Sequence, residues 1–277
     1  MANGITPFTP LRTKLSWYLY YLTTPKLLKA LSGHTGWIHA LAIAPDGKTL
    51  ASSGEDKIIR LWSVPDGTLL RIIEGHALLV LSLAISPDGK LLASASADRS
   101  IRLWSLEDGQ AIRSLEGHLK AVSCVCFSAD GKMLVSGAND RTIRLWSVPE
   151  GTPLKTLDAP TDYVFSMVVA QAGKLLASAA RDGRVHLWSM PEGKLIKSLA
   201  AHTRDVTCLA ASLDGSLLAS GSLDGTVRLW SLPDAEVGRC LFDPAATEHG
   251  TNVRQYRQMG PRTITLRCGS PKLSAII

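Results

Sequence analysis

The apolar and polar residues of this chain follow one pattern that returns every 42 residues, which is the spacing of Trp62, Trp104, Trp146, Trp188 and Trp230. The clearest copy covers residues 75–117. It runs from Gly-His through a short apolar stretch to Ser-Pro-Asp-Gly-Lys and Leu-Leu-Ala-Ser, then to Ile-Arg-Leu-Trp and a turn. A fixed period of this length is typical of repeat proteins, in which each unit buries its apolar face against its neighbours. The pattern therefore predicts a single repeat domain.

Each unit contains four short stretches of strand length that are separated by turn residues. In the first unit these stretches are residues 38–43, 49–53, 58–63 and 69–73. Pro-Asp-Gly follows the first and the third stretch, and Asp56-Lys57 separates the second from the third. Proline presets its φ angle and glycine accepts a positive one, so these sequences suit tight turns. We therefore expect an all-β fold in which every complete unit is a four-stranded sheet.

The first strand of each unit has one face of small and one face of large side chains, because neighbouring strand residues point to opposite faces. The small positions are Ala40, Ser82, Cys124, Ser166 and Cys208, and the large positions are Leu41, Leu83, Val125, Met167 and Leu209. A sheet wedged between two neighbours near a central axis needs such a taper. This alternation favours a radial array of sheets over a flat sandwich.

The two ends of the chain depart from the regular units, which cover about residues 33–232. Residues 1–14 are expected to be a flexible arm and residues 269–277 a flexible tail. Shifted by one period, residues 15–32 match the last two strands of a unit, although an amphipathic helix is the alternative. Residues 252–258 and 262–268 could supply two further strands. Together these segments predict a sixth sheet shared by both ends, within one domain spanning residues 15–268, and closure of this kind hides exposed sheet edges.

Serine, histidine, aspartate and tryptophan recur together at fixed offsets, and they allow two interpretations. Serine, histidine and aspartate are the residue types of a nucleophile, its base and an orienting acid. However, an enzyme needs one such set and this chain has four, each with a tryptophan whose N–H can donate to the serine. A buried, internally satisfied network that stabilises each unit is the favoured interpretation. The sets are His34, Ser52, Asp56 and Trp62; His76, Ser94, Asp98 and Trp104; His118, Ser136, Asp140 and Trp146; and His202, Ser220, Asp224 and Trp230.

These units resemble the WD40 repeats of the β-propeller class. Gly33-His34, Gly75-His76 and Gly117-His118 match the Gly-His element of that family, and Leu61-Trp62-Ser63 with its counterparts matches the Trp-Asp element, with serine in place of aspartate. The resemblance implies a β-propeller in which the sets above are structural tetrads. The five complete units would then be five blades, and the sheet shared by the two chain ends would be a sixth. The fourth unit keeps Ser178, Asp182 and Trp188 but has Pro160 at the histidine position. The regularity of the units resembles bacterial members of the family.

The resemblance also implies a non-catalytic scaffold that needs no cofactor and binds other proteins or peptides. Family members usually bind partners on the face where the loops between blades meet the turns between second and third strands. The candidate contact residues there are Trp37, His39, Leu79, Tyr163, Phe165, Arg181 and Arg204. Aromatic residues and arginine dominate interaction hot spots. The alternatives are a small-ligand or hydrolytic propeller that uses its central channel, and a regulatory module from a longer chain.

Charge and cysteine content narrow the classes of partner further. The formal net charge is +6, and residues 1–33 supply +4 of it through Arg12, Lys14, Lys26 and Lys29, so the repeats are nearly neutral. Without a basic stripe, nucleic acid is not expected as a partner.

The longest apolar run near the start, residues 17–22, is too short to span a membrane. Five cysteines without metal spacing and without a secretory leader favour a reducing, cytoplasmic location. His186 is a single histidine on a predicted strand, and we expect it to be a surface residue or to pack against its neighbours.

Overall fold

The computed structural model describes residues 27–158, 163–200, 202–212 and 214–232. The chain divides into two compact units, residues 1–32 and 33–277. The described part of the first unit, residues 27–32, contains no helix or strand, so the second of the two strands expected within residues 15–32 is not formed there. The arm, the tail and the remaining segments of the expected sixth sheet lie outside the described residues. The boundaries of the expected single domain remain a prediction.

The second unit consists of strands that pair consecutively in antiparallel sheets. The first sheet is β1 (Ile38–Ile43), β2 (Thr49–Gly54), β3 (Ile59–Ser63) and β4 (Leu69–Ile73). The second is β5 (Val80–Ile85), β6 (Leu91–Ser96), β7 (Ile101–Ser105) and β8 (Ala111–Leu115). The third is β9 (Val122–Phe127), β10 (Met133–Ala138), β11 (Thr142–Ser147) and β12 (Pro153–Asp158).

The fourth sheet is β13 (Val164–Ala170), β14 (Leu175–Ala180), β15 (Arg184–Ser189) and β16 (Leu195–Ala200), with a short 3-10 helix at Gln171–Gly173. The fifth is β17 (Val206–Ala211), β18 (Leu217–Ser222) and β19 (Val227–Ser231). The predicted four-stranded sheet is thus confirmed in four units. The fifth has three described strands, because the chain after residue 232 lies outside the described residues.

The sheets pack on one another in chain order through their first strands: β1 contacts β5, β5 contacts β9, β9 contacts β13 and β13 contacts β17. Ser82 Oγ accepts a hydrogen bond from Val125 N–H at 3.3 Å, and Ser166 Oγ accepts one from Leu209 N–H at 3.1 Å. The backbone of one first strand therefore lies against the side chains of the preceding one. This close approach explains why these positions are small.

The hydrophobic core lies between successive sheets, where one face of each sheet covers its neighbour. Between the first two sheets, Ile59 and Leu61 pack with Val80, Leu83 and Trp104. Removing one such aliphatic side chain from water contributes about 1.5–3 kcal/mol to folding. The stability of each sheet therefore depends on the sheet beside it, as expected for a repeat protein.

The two end sheets expose residues that are buried elsewhere. Leu41 in β1 is 50% exposed, whereas its equivalent Leu83 in β5 is 4% exposed. At the other end, Val227 in β19 is 49% exposed, whereas its equivalent Ile143 in β11 is fully buried. Within the described ranges, β17 does not pack on β1 as the other first strands pack on one another. The five sheets fit a propeller arrangement, and no closed ring is formed by the described residues.

Candidate functional site

The recurring polar set forms a continuous hydrogen-bonded chain in the second sheet. Trp104 Nε1–H donates to Ser94 Oγ at 2.8 Å, and the Ser94 hydroxyl donates to His76 Nε2 at 2.7 Å. His76 Nδ1–H then donates to Asp98 at 2.8 Å. This assignment uses each polar atom once and requires a neutral imidazole, since Nε2 must accept. The chain joins the loop before β5 to the turn between β6 and β7.

The same arrangement is present in the first, third and fifth sheets. The serine–histidine distances are 2.7 Å for Ser52–His34, 2.8 Å for Ser136–His118 and 2.9 Å for Ser220–His202. The histidine–aspartate distances are 2.9 Å for His34–Asp56, His118–Asp140 and His202–Asp224. Trp62, Trp146 and Trp230 donate to these serines at 2.8 to 3.0 Å.

Burial and hydrogen bonding move the pKa values of this network in consistent directions. Burial lowers the pKa of His76 and of His118 below the ordinary 6.5, although the aspartate beside each opposes the shift. Burial by itself would raise the pKa of Asp98, but hydrogen bonds from Ser100 and His76 outweigh it and lower the pKa to about 2. The sets of the second and third sheets are therefore held as neutral histidine beside ionised aspartate.

The geometry of the set does not suit nucleophilic attack. Ser94 and Ser136 are fully buried, and each hydroxyl lies between an indole and an imidazole. A nucleophile has to reach its substrate as well as its base. These serines instead fix the loops to the middle strands, and a buried hydrogen bond of this kind contributes about 0.5–1.5 kcal/mol.

The fourth sheet has a different network because Pro160 replaces the loop histidine. Trp188 still donates to Ser178 at 2.9 Å. His186 in β15 is buried, with Nδ1 at 2.8 Å from Ser198 Oγ and Nε2 at 3.3 Å from the Asp182 carboxylate. From the sequence, His186 was expected only to be a surface residue or to pack against its neighbours, and these polar contacts were not predicted. A signal was present in the sequence, because the equivalent positions hold arginine: Arg60, Arg102, Arg144 and Arg228.

Hydroxyl residues two positions after the turn aspartate are a further part of the network that the sequence analysis missed. Ser100, Thr142 and Thr226 donate to Asp98, Asp140 and Asp224 at 2.6, 2.7 and 2.7 Å. The first sheet uses Arg60 instead, whose Nη1 donates to Asp56 at 2.6 Å. The hydroxyl residue two positions after the turn aspartate recurs in three units and could have been recognised from that recurrence alone.

The loops between sheets and the turns between second and third strands lie at the same end of every sheet, because the strands are antiparallel. We call this end the loop face. In every sheet, one loop carbonyl accepts a hydrogen bond from the residue before the turn aspartate. The pairs are Trp37–Glu55, Leu79–Ala97, Ala121–Asn139, Tyr163–Arg181 and Asp205–Leu223, at 2.9 to 3.1 Å. The backbone of the loop face is thus constant, whereas its side chains vary.

A β-bulge interrupts the pairing of every first strand at one recurring position. In the first sheet, Ile38 pairs with Gly54 and Ala40 pairs with Ser53, so His39 is the extra residue. The other extra residues are Leu81, Ser123, Phe165 and Thr207. Bulges redirect side chains and are frequent beside functional sites. The variable positions of the loop face include these five residues.

The structure places the candidate contact residues at the loop face with different degrees of exposure. Trp37 is 62% exposed. Arg181 and Arg204 are exposed, whereas His39, Leu79, Tyr163 and Phe165 are half-buried. Two groups emerge. Trp37 and His39 belong to the first sheet, and Tyr163, Phe165 and Arg181 belong to the fourth.

Trp37 projects from a backbone that is held on several sides. Its N–H donates to the Glu55 carboxylate at 3.2 Å, and its carbonyl accepts from Glu55 N–H at 3.0 Å. Gly54 lies so close that a Cβ there would be 2.0 Å from the Trp37 carbonyl oxygen. The indole is therefore exposed while its backbone is fixed.

The tryptophan network that repeats every 42 residues and the packing of successive antiparallel sheets are typical of a known sequence family. The model of the WD domain, G-beta repeat, matches residues 25–63, 67–105, 109–147, 151–189 and 193–231. The chain belongs to the WD40 repeat family. Each WD40 match contains the outer-strand position of one sheet and the first three strands of the next, so that residues 67–105 contain β4 to β7. Consecutive repeats therefore share a sheet.

Curated relatives match this WD40 protein over short segments. The small ribosomal subunit protein RACK1 of Medicago sativa is 44% identical over 46 residues, which are 17% of this chain and 14% of that protein. RACK1y of Oryza sativa subsp. japonica is 36% identical over 67 residues, 23% of this chain and 20% of that protein. The pre-mRNA-splicing factor prp46 of Emericella nidulans is 39% identical over 44 residues, 16% of this chain and 10% of that protein.

A solved structure matches over more of the chain. The structure of U3-55K superposes with a TM-score of 0.70 at 31% identity, covering 75% of this chain and 64% of that one. The expected resemblance to bacterial members is not supported, because the curated relatives named above come from plants and a fungus. A regular period reflects sheet packing, which is common to the whole family, and so it does not indicate a source.

A metal site and a membrane-spanning helix are both absent from the part of the chain that the structure describes. Within it, no group of three or more histidine, cysteine, aspartate or glutamate residues is arranged to hold a metal ion. No helix in the same part is long and apolar enough to cross a membrane. Cys124 is a free, buried thiol whose pKa is raised to about 12 by burial, which disfavours the reactive thiolate.

Proposed function

We propose that this chain is a non-catalytic WD40 scaffold that binds other proteins or peptides through its loop face. The observation that carries the proposal is Trp37, an indole that is 62% exposed on a backbone fixed by Glu55. A large aromatic side chain on a backbone that is already fixed leaves less conformational entropy to be lost on binding. Burial of an exposed aromatic side chain is also a frequent source of binding energy at interfaces.

The relatives support the same class of function. RACK1 is named a small ribosomal subunit protein and prp46 a pre-mRNA-splicing factor. We infer by analogy that this chain acts within a larger assembly, in contact with its protein subunits. The proposal does not include direct binding to nucleic acid or to a membrane. It does include a cytoplasmic location for the protein. The alternative of a hydrolytic or ligand-binding central channel has no observation in its favour among the described residues.

The experiment is affinity capture with the full chain and a Trp37→Ala, Tyr163→Ala double variant. Leu154→Ala is the matched control, because Leu154 is 53% exposed on the outermost strand β12, away from the loop face. We expect partners bound by the wild type and by the control to be lost from the double variant, with all three proteins melting at similar temperatures. Equal capture by the double variant would contradict binding at this face.

The sixth blade also stays a proposal. It is supported by the apolar residues exposed at both ends of the array, Leu41 and Val227 among them. Residues 15–32 and 252–268 are the segments that the sequence assigns to it. A covered end face would bury these side chains as the inner sheets bury their equivalents.

A further inference from the structure

The first and fourth sheets place an aromatic ring and a charged side chain at the same pair of loop-face positions. The pair is Trp37 and Glu55 in the first sheet, and Tyr163 and Arg181 in the fourth. The backbones of the two pairs are joined in the same way. The Trp37 carbonyl accepts from Glu55 N–H at 3.0 Å, and the Tyr163 carbonyl accepts from Arg181 N–H at 3.1 Å. The two pairs therefore differ in the sign of the charge beside the ring.

In the fourth sheet, the chain's own cations lie against the ring. Arg181 Cζ is 5.5 Å from the centre of the Tyr163 ring, and Lys120 Nζ, from the loop before β9, is 5.6 Å from it. At these distances a cation is attracted by the quadrupole of an aromatic ring. The fourth sheet thus shows that a guanidinium group can contact an aromatic ring at this place on the loop face.

In the first sheet, the ring and the carboxylate are both open to solvent. Trp37 is 62% exposed, and Glu55 is exposed as well. Among the residues that the structure describes, no cation lies over the Trp37 indole and none is within ion-pair distance of Glu55. Lys57, two positions after Glu55 in the same turn, makes neither contact. The indole and the carboxylate are therefore accessible to a cation of another molecule.

The position of the Glu55 carboxylate is fixed by the loop that carries the indole. Glu55 Oε2 accepts a hydrogen bond from Trp37 N–H at 3.2 Å. Gly36 leaves room for this contact, because a Cβ there would lie 2.7 Å from Glu55 Cβ and 3.0 Å from Oε2. A carboxylate has about four lone-pair positions. Glu55 can therefore accept further hydrogen bonds while it keeps this one.

We propose that Trp37 and Glu55 bind an arginine side chain of a protein partner, with its guanidinium against the indole and its N–H groups donating to the Glu55 carboxylate. The proposal rests on the scaffold function and specifies the chemistry of the partner. Tryptophan attracts cations more strongly than tyrosine or phenylalanine does. A planar guanidinium can stack on a ring and can also donate two parallel hydrogen bonds to a carboxylate, whereas an ammonium group is a point charge.

The combination of an aromatic ring with an acid is not a consequence of the repeated frame. The second, third and fifth sheets have no aromatic residue at either of the two positions, which hold Leu79 and Ala97, Ala121 and Asn139, and Asp205 and Leu223. The formal net charge of +6 also works against a general attraction of basic peptides to this chain. Binding of an arginine side chain would therefore depend on local contacts in the first sheet.

The test measures fluorescence anisotropy of the full chain with three short labelled peptides, in which serine alternates with arginine, with citrulline or with leucine. Citrulline has the size of arginine without its charge. Glu55→Gln removes the negative charge but keeps an oxygen for the Trp37 N–H. The matched control, Glu150→Gln, makes the same change at an exposed residue between β11 and β12, at the opposite end of the third sheet.

We expect the Arg-Ser peptide to bind more tightly than the other two peptides. Glu55→Gln and Trp37→Leu should each weaken it about fivefold, a loss that one exposed contact can account for. The control should stay within about twofold of wild type. Absence of Arg-Ser binding, or equal weakening by the control, would overturn the proposal. Equally tight binding of the citrulline or leucine peptide would overturn it in favour of a neutral partner.

Glu55→Arg tests the comparison with the fourth sheet directly. An arginine at this position can lie over the indole as Arg181 lies over Tyr163, and it also repels a basic peptide. We expect this variant to lose more Arg-Ser binding than Glu55→Gln loses. Arg-Ser binding that Glu55→Arg leaves at the wild-type level would count against the proposed site.

Affinity capture with Glu55→Gln separates this proposal from the scaffold function. Full capture by Glu55→Gln, together with loss of capture by the Trp37→Ala, Tyr163→Ala variant, would overturn the arginine site and leave the scaffold function standing. Equal capture by that double variant would contradict the scaffold function, whereas Arg-Ser binding that depends on Glu55 would still support the site. The two proposals therefore fail separately.

Discussion

Ser94 Oγ lies 2.8 Å from Trp104 Nε1 in the interior of the second sheet, and the same hydroxyl donates to His76. Replacement of Ser94 by alanine leaves the indole N–H and the imidazole nitrogen buried without this partner. We expect Ser94→Ala to lower the free energy of unfolding by about 1–2 kcal/mol, measured by urea denaturation near neutral pH.

Ser178→Ala provides the comparison for that measurement. Ser178 is equally buried, but among the described residues its hydroxyl contacts the Trp188 indole and no loop histidine. We expect a smaller loss of stability than at Ser94, because no loop histidine is left unpaired. A larger loss at Ser178 would contradict the role assigned to the histidine.

Stability should fall as the solution is acidified, in two stages. Burial lowers the pKa values of His76, His118, His186 and His202 below 6.5. Below that pH the unfolded chain binds protons that the folded chain does not, so the free energy of unfolding decreases as pH falls through 6.5. Each histidine contributes at most about 1.4 kcal/mol per pH unit.

The second stage comes from the aspartates of the network. Hydrogen bonds hold the pKa values of Asp98, Asp140 and Asp224 below the ordinary 3.8 despite burial. Their stabilisation is present above 3.8 and is lost as pH falls further toward the folded-state values. Urea midpoints measured from pH 8 to pH 2 check both stages. Stability that increases between pH 7 and pH 5 would have the wrong sign.

His186→Leu should destabilise the fourth sheet. The substitution keeps an apolar volume but removes the contacts to Ser198 and Asp182 from a buried site. We expect a loss of about 1–3 kcal/mol, which is the range for a buried polar group that loses its partner. His39→Leu, at a half-buried bulge in β1, is the control and should change stability by less. Equal effects of the two would show that His186 serves only as packing.

Leu41→Lys tests whether another sheet covers the first one. If a sixth blade packs there, a lysine at this position would bury a charge, and we expect a loss of stability close to that of Leu83→Lys. If the face is open to water, Leu41→Lys should change the urea midpoint very little. That second result would argue against the sixth blade.

The repeat, its strands and the residues of its network could be predicted from the sequence, because each depends on the spacing of residues that are close together in the chain. Trp62 and its four counterparts recur at one spacing, and the Pro-Asp-Gly turns mark the strand ends. The large face that includes Leu83 also follows from alternation along a strand. Such signals depend on neighbouring residues and need no knowledge of how sheets meet.

Other features depend on contacts between residues that are distant in the chain. The bulge at Phe165 is a property of the pairing between β13 and β14, and the two cations on Tyr163 come from different sheets. The contact of His186 with Ser198 arises from the pairing of β15 with β16. By itself the sequence determined the repeated unit and its internal polar network, since both are encoded at fixed local spacing. The grouping of loop-face side chains and the exposure of the two end sheets arise from packing between units, which local spacing does not encode.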